Sequence, residues 1–360
     1  MHIRAHYSRR SLGVLFALAF ALMPSFAYAE VDKQDVTFRT VDEVELKGVF
    51  YPGQGEMSGR KSPCVMLLHK YGSDRTKGNY DALAATLQAK GFSVLSFDFR
   101  GHGRSKELRS QSTFWNTTMF PYNGAAGGRL GQTRIDVKSF RPAYYPWLIN
   151  DLIAARRFLE EKNDAGELNV GQLFVIAERD AGNLALMWLA CEHARPRVAR
   201  TMANPNPRDT AGSDVAGLVF LSTDKDPPGK SISYNLTGTA RQLWYGRESV
   251  GETIRERQSM CFLVGAQDQT AVRSANWFYS DFLAADKVDK KDQIAYLVPI
   301  KNTKLGGVEL LGPKGLGTEE AILNYLAEIL KRGRGNPTWI EREVNKIPFD
   351  AVSLPYLGYR

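Results

Sequence analysis

The chain predicts an α/β fold: a mostly parallel sheet with helices on both faces. Two observations carry this. Short apolar runs alternate with longer stretches of helical apolar spacing along most of the sequence, the pattern of strands buried on both faces and joined by helices. Gly-rich turns also follow strand-like runs, as in FDFRGHGRS, and such clusters mark connections rather than element interiors.

The elements follow in order. Residues 1–29 are set aside, because Arg4, Arg9 and Arg10 precede the apolar run SLGVLFALAFALM and then AYA at Ala27–Ala29. A basic start, a short apolar middle and small residues at the end describe a secretory signal peptide. The run is shorter than the ~20 residues of a membrane span, so no stable span is expected after signal removal. The expected location is outside the cytoplasm, periplasmic or extracellular. SRRSLG also faintly suggests twin-arginine export, but it lacks the full consensus, and ordinary export is preferred.

Beyond it, DVTFRTV and VELKGVFYP read as an opening hairpin. CVMLLHK is a strand, NYDALAATLQAK a helix ending at Gly91, and FSVLSFDFRGHGRS a strand and turn. YYPWLINDLIAARRFLEEKN is a long amphipathic helix with Leu148, Leu152, Ala155 and Leu159 on one face. LFVIAERDAGNLALMW turns from strand to helix; VAGLVFLST, MCFLVGAQD, AVRSANWFYSDFLAA, QIAYLVPI and TEEAILNYLAEILKR continue the alternation. The length from residue 30 to 335 suits one domain, since α/β domains often exceed ~150 residues. Residues 106–141 interrupt the rhythm as a cap-like insertion, because a loop this long usually serves as a lid or binding segment. The tail 336–360, with its aromatics, is expected to strap the surface.

Removing the three signal arginines lowers the formal net charge from +8 to +5. The remaining charges are scattered, without the basic stripe of a nucleic-acid surface. Cys64, Cys191 and Cys261 sit in apolar runs and read as buried small hydrophobes rather than a disulfide framework. No Cys/His spacing suits a metal, and no cofactor is implied.

VMLLHKYGSDRTKGNYDALAATLQAKGFSVLSFDFRGHGRS resembles the α/β-hydrolase family: its oxyanion-side strand, first helix and D-x-R-G-H-G-x-S turn. The resemblance resumes through the final helix and covers nearly all of residues 35–333, in the style of esterases, dienelactone hydrolases and secreted peptidases. It implies a Ser–acid–His relay in that chain order. Asp268, in CFLVGAQDQT, matches the acid. The Gly-x-Ser-x-Gly elbow aligns without gaps to Ala177-Glu178-Arg179-Asp180-Ala181, followed by Gly182 and Asn183, and Gly306 stands at the histidine position. No histidine follows His193. A guanidinium is neither nucleophile nor base, so ordinary serine hydrolysis is excluded at this turn.

Further expectations follow. With Ala177 and Ala181 replacing the framing glycines, the elbow is expected to relax. A one-residue shift would place Asp180 at the elbow, in the style of haloalkane dehalogenases, but the ungapped register fits the apolar rhythm better. Arg179 is expected to extend into the vacated space and meet Asp268 as a bidentate pair; the alternatives are an outward ligand clamp, or pairing with Glu178 or Asp180. Ligand-binding candidates toward the carboxyl ends of the strands are His69, Lys70, Tyr71, Arg100, Arg179 and Lys304, with Asp224 and Asp268 beside them. This set is net positive and suggests a small anionic ligand; the alternative is an internally neutralised relic that binds nothing, since structural ion pairs perturb such sites too. In the family His69 and His102 are usually structural; His193 reads as a surface or capping residue. The favoured function is a pseudoenzyme that binds a ligand or acts as a scaffold. The alternatives are a hydrolase with a displaced site and an interaction module using residues 106–141. The sequence names no protein partner.

Overall fold

A computed structural model describes residues 31–109, 113–198, 209–226, 250–289 and 292–342. Residues 1–30, on which the expected signal peptide falls, and tail residues 343–360 lie outside the described residues. Eight strands are described: β1 (Gln34–Arg39), β2 (Glu45–Tyr51), β3 (Pro63–Leu68), β4 (Ser93–Phe97), β5 (Asn169–Glu178), β6 (Val215–Leu221), β7 (Met260–Gly265) and β8 (Ala295–Ile300). They form one sheet in the order β1-β2-β4-β3-β5-β6-β7-β8. The β1–β2 and β2–β4 pairs are antiparallel, and from β4 onward every pairing is parallel. The described α-helices are α1 (Tyr80–Gln88), α2 (Ile149–Asp164), α3 (Ala181–Ala194), α4 (Val250–Arg257), α5 (Gln269–Asn276) and α6 (Thr318–Lys331). None of the described helices is long and apolar enough to cross a membrane.

Alternation along each strand divides the core in two. From β5, Leu173, Val175 and Ala177 face one side with Leu152 and Leu159 of α2, Leu184 and Trp188 of α3, and Ala271 and Ala275 of α5. Phe174 and Ile176 face the other, with Leu83 and Leu87 of α1 and Ile322, Leu326 and Ile329 of α6. Every β5 residue is therefore buried, which is why residues 173–177 read as a continuous apolar run rather than alternating. The three cysteines are free and buried among these side chains.

Within the insertion, Phe114, Phe120, Tyr122 and Phe140 are buried. Tyr122 stacks on Trp147, ring centroids 4.5 Å apart, Asn123 Nδ2 donates to Asp42 Oδ2 at 3.0 Å, and Val137 N–H donates to Gly101 O at 3.0 Å. These anchors lie on the β1–β2 turn, the turn after β4 and the entry to α2. The described part of the tail is tied near the start of β5: Asn336 N–H donates to Gly171 O at 2.6 Å, and Arg342 Nη2 reaches the buried Asp214 Oδ1 at 3.0 Å.

Candidate functional site

The motif after β4 is scaffolding for the loop between β3 and α1. Asp98 accepts from Arg75 N–H at 2.8 Å and Arg104 N–H at 3.0 Å. Gly103, at φ 43°, packs directly on the Asp98 carboxylate, leaving no room for a Cβ. Ser105 Oγ donates to Asp98 O at 2.7 Å and accepts from Lys47 N–H at 2.9 Å.

His102 and His69 each bridge two backbone groups. Gly72 N–H donates to His102 Nε2 at 3.0 Å, while Nδ1 lies 2.8 Å from Arg100 O. Phe99 N–H donates to His69 Nε2 at 3.1 Å, while Nδ1 lies 2.9 Å from Lys70 O. An imidazole that accepts at one nitrogen and donates at the other is neutral. Burial pushes the pKa of His69 down to about 4 and that of His102 to about 3.

Arg100 corrects an expectation. Rather than approaching a ligand face it is fully buried, with Nε 2.6 Å from Asp151 Oδ1 and Nη1 2.6 Å from Asp42 Oδ2. Nη1 also donates to Tyr144 Oη at 3.0 Å. Its donors are spent on the interior, and His69 is likewise withdrawn into the scaffold. His193 differs too: its ring lies against Gly212, partly buried, with Nδ1 3.4 Å from Thr210 Oγ1.

The strand-to-helix turn between β5 and α3 holds Arg179 at φ 50°. The expected relaxation does not occur: Arg179 remains in the left-handed region that side-chain-bearing residues avoid. The end of β6 and the first turn of α3 hold it there. Its N–H donates to Leu221 O at 3.0 Å, and its O accepts from Gly182 N–H at 3.1 Å and from Thr223 Oγ1 at 3.2 Å. Ala177 and Ala181 fit while fully buried. The close approach needing glycine falls one residue later, at Gly182, where a Cβ would lie 2.9 Å from Phe220 Cδ1. A conformational outlier at 179 also settles the register: Arg179, not Asp180, stands at the elbow.

From that elbow, Arg179 Nη2 reaches Asp268 Oδ2 at 3.3 Å and Nη1 lies 3.7 Å from Asp224 Oδ1. The guanidinium is therefore divided between two carboxylates instead of forming the expected bidentate pair with one. Gly306 adjoins it: a Cβ there would overlap Arg179 Nη2 and fall 2.8 Å from Asp268 Oδ2. The guanidinium thus fills the space a side chain at 306 would use. Asp268 has a second task, capping α5 through Oδ1, which accepts from Ala271 N–H at 3.1 Å. This cap is an independent structural use for the carboxylate.

Two acids at this turn entered the sequence reading only as alternatives, as partners of Arg179 or, for Asp180, as the residue of a shifted elbow. Glu178 is buried and accepts from Lys70 N–H at 3.2 Å, Tyr80 Oη at 3.0 Å and Val308 N–H at 3.3 Å. Its signal was an acid closing the apolar run 173–177. Asp180 accepts from Tyr71 N–H at 3.2 Å, and Tyr145 Oη donates to Asp180 O at 2.6 Å. Burial raises the Asp180 pKa to about 7, against the hydrogen bonds that favour the carboxylate.

The expected positive balance is consequently reversed. Glu178, Asp180, Asp224 and Asp268 gather around Arg179 and Lys70, whose Nζ lies 3.8 Å from Glu178 Oε1. Burial raises the Asp224 pKa, against Arg179, which lowers it. Lys304 is exposed on the loop between β8 and α6. Among the described residues no group of His, Cys, Asp or Glu could hold a metal ion.

An antiparallel entry through β1 and β2, six successive parallel strands, and a strained elbow between β5 and α3 together decide the architecture. The chain has the α/β-hydrolase fold. The family model described as serine aminopeptidase, S33, matches residues 59–119, which span β3, α1, β4 and the start of the insertion. It ends before the elbow. Solved structures similar to the chain include an esterase from Pyrococcus furiosus, 18% identical over 84% of this chain and 91% of its own, TM-score 0.46. An α/β hydrolase from Penicillium is 15% identical over 84% and 99%, TM-score 0.48. A dienelactone hydrolase from Anabaena variabilis is 16% identical over 83% and 98%, TM-score 0.44. No curated protein matches the sequence.

Proposed function

We propose that this chain is an exported pseudoenzyme, a non-catalytic binding or scaffold protein on the α/β-hydrolase fold. One observation carries the reading: the Arg179 guanidinium occupies the space beside Gly306 and pairs with Asp268. In that arrangement the elbow has no nucleophile, the acid serves an ion pair and a helix cap, and among the described residues no histidine adjoins either. An always-protonated guanidinium cannot replace the missing parts.

The alternative is a hydrolase with a displaced site, and Asp180 is what favours it, since a carboxyl with a pKa of about 7 suits a general base. Against it, Tyr71 N–H, placed to stabilise an oxyanion, already serves the Asp180 carboxylate.

The test is hydrolysis of short-chain p-nitrophenyl esters by wild type, Arg179→Ser and the double variant Arg179→Ser/Gly306→His, with and without a serine-reactive phosphonate. Wild type and Arg179→Ser should stay at the uncatalysed rate, the latter because position 306 still lacks a base. Efficient wild-type hydrolysis, lost when a phosphonate labels another serine or when Asp180 becomes Asn, would overturn the reading.

A further inference from the structure

Asp180 stands at the N-cap of α3, where an aspartate ordinarily accepts from the first turn of its own helix. Here the side chain makes no capping bond to α3. Both oxygens instead lie 3.2–3.3 Å from Tyr71 N, 109 residues away in the chain. Hydrogen bonds from the Tyr71 and Asp180 backbone N–H groups both favour the charged carboxylate. Those two N–H groups, one from the β3–α1 loop and one following the elbow residue, are the donors that this fold aims at an oxyanion.

The loop bearing Tyr71 is braced. Gly72 N–H is held by His102, and the Tyr71 ring packs on His102 and Tyr145, centroids 5.3 and 5.7 Å away. Asp180 itself is 7% exposed. A carboxylate that forgoes its local helix cap to fill a preorganised pair of donors occupies the position of an anionic ligand.

We propose that the Asp180 carboxylate is a built-in plug, an autoinhibitory contact that keeps small external carboxylates and phosphonates out of the backbone cradle formed by Tyr71 and Asp180. An external anion enters only when the plug is removed or neutralised. The groups facing Asp180 set the direction. Tyr71 and Tyr145 remain protonated phenols, both pKa values being raised by burial with Asp180 adding to the rise. The like charges of Glu178 and Asp224 oppose ionisation of Asp180, while Arg179 is taken up by Asp224 and Asp268. Protonation of the plug therefore removes one negative charge from the cradle, and anion entry is favoured on the acidic side of its titration. The inference rests on the binding reading only in sharing its site, and it makes no claim about turnover.

The experiment follows the Tyr71 amide by NMR in protein labelled at tyrosine and aspartate, with acetate and methylphosphonate as probes. In wild type the Tyr71 amide should shift with pH in step with the Asp180 carboxyl carbon, and acetate should bind more weakly at alkaline than at acidic pH. Asp180→Ala and Asp180→Gly should bind either probe more tightly than alkaline wild type by about tenfold or more, a difference of about 1.4 kcal/mol. A Tyr71 amide indifferent to Asp180 titration would overturn the proposal without any variant, as would variants that fold and bind no better than wild type. Ester hydrolysis by wild type would refute the non-catalytic reading while leaving this result to stand or fall by itself.

Discussion

At position 179 a long cationic side chain is carried on a backbone with φ 50°, a conformation that costs a non-glycine residue roughly 1–2 kcal/mol. The ion pairs it makes are 26% exposed on the arginine side, so their contribution belongs with partly solvated pairs, about 1 kcal/mol or less. Strain and pairing thus nearly cancel. Arg179→Ala should lose the pairs and keep the strain, whereas Arg179→Gly loses the pairs and relieves it. Denaturant unfolding is expected to rank the glycine variant above the alanine variant by about 1 kcal/mol. An alanine variant as stable as the glycine one would show that the elbow relaxes once the guanidinium is gone. Gly306 is the complementary residue: Gly306→Ala should displace the Arg179 guanidinium from Asp268, visible as loss of the 3.3 Å contact in a crystal structure of the variant.

Elements in this protein are joined by buried charge more than by loops. Arg100, in the turn after β4, holds Asp42 between β1 and β2 and Asp151 at the start of α2, and Asn123 of the insertion joins through Asp42. Asp42→Ala leaves a buried guanidinium half-paired and Asn123 without one acceptor. The expected loss is about 3–5 kcal/mol, measured by denaturant unfolding, with proteolysis inside residues 106–141 accelerating because their anchor is removed. A loss under about 1 kcal/mol, the value of a surface pair, would mean that water replaces the missing carboxylate and that the insertion is held by its aromatics alone.

For the molecule as a whole, two kinds of titration oppose one another. His69 and His102 have native pKa values of about 4 and 3 against an ordinary 6.5, so between those values the unfolded chain binds protons that the native one does not. Stability therefore falls as pH drops below about 6.5. Asp180 runs the other way: its pKa is raised from 3.8 to about 7, so the native state holds the extra proton, and stability is lost as pH rises through that window. His193, also lowered to about 4, joins the histidines, and Asp151, raised to about 6, joins Asp180; above about 6 the histidines outweigh Asp180, and stability should rise with pH there up to about 6.5. Asp180→Asn should make that rise steeper, and unfolding measured across the window checks it. A slope unchanged by the substitution would mean that Asp180 titrates alike in both states.

How far the sequence reaches can be seen at individual residues. Apolar runs and helical spacing determined the sheet and its helices, because burial on two faces demands those periods. The replacements at Arg179 and Gly306 and the retained Asp268 were legible through the resemblance to the α/β-hydrolase pattern. Tertiary structure decided where each charge went. Arg100 and Arg179 are the same residue type at the ends of adjacent βα units, yet one is spent in the interior and the other stands in the site. Glu178 and Asp180 joined the site through bonds to a loop about a hundred residues away. Local sequence determines where the backbone runs and which faces are apolar; the partner of a buried charge depends on what non-local segments bring within about 3–4 Å, the reach of an ion pair.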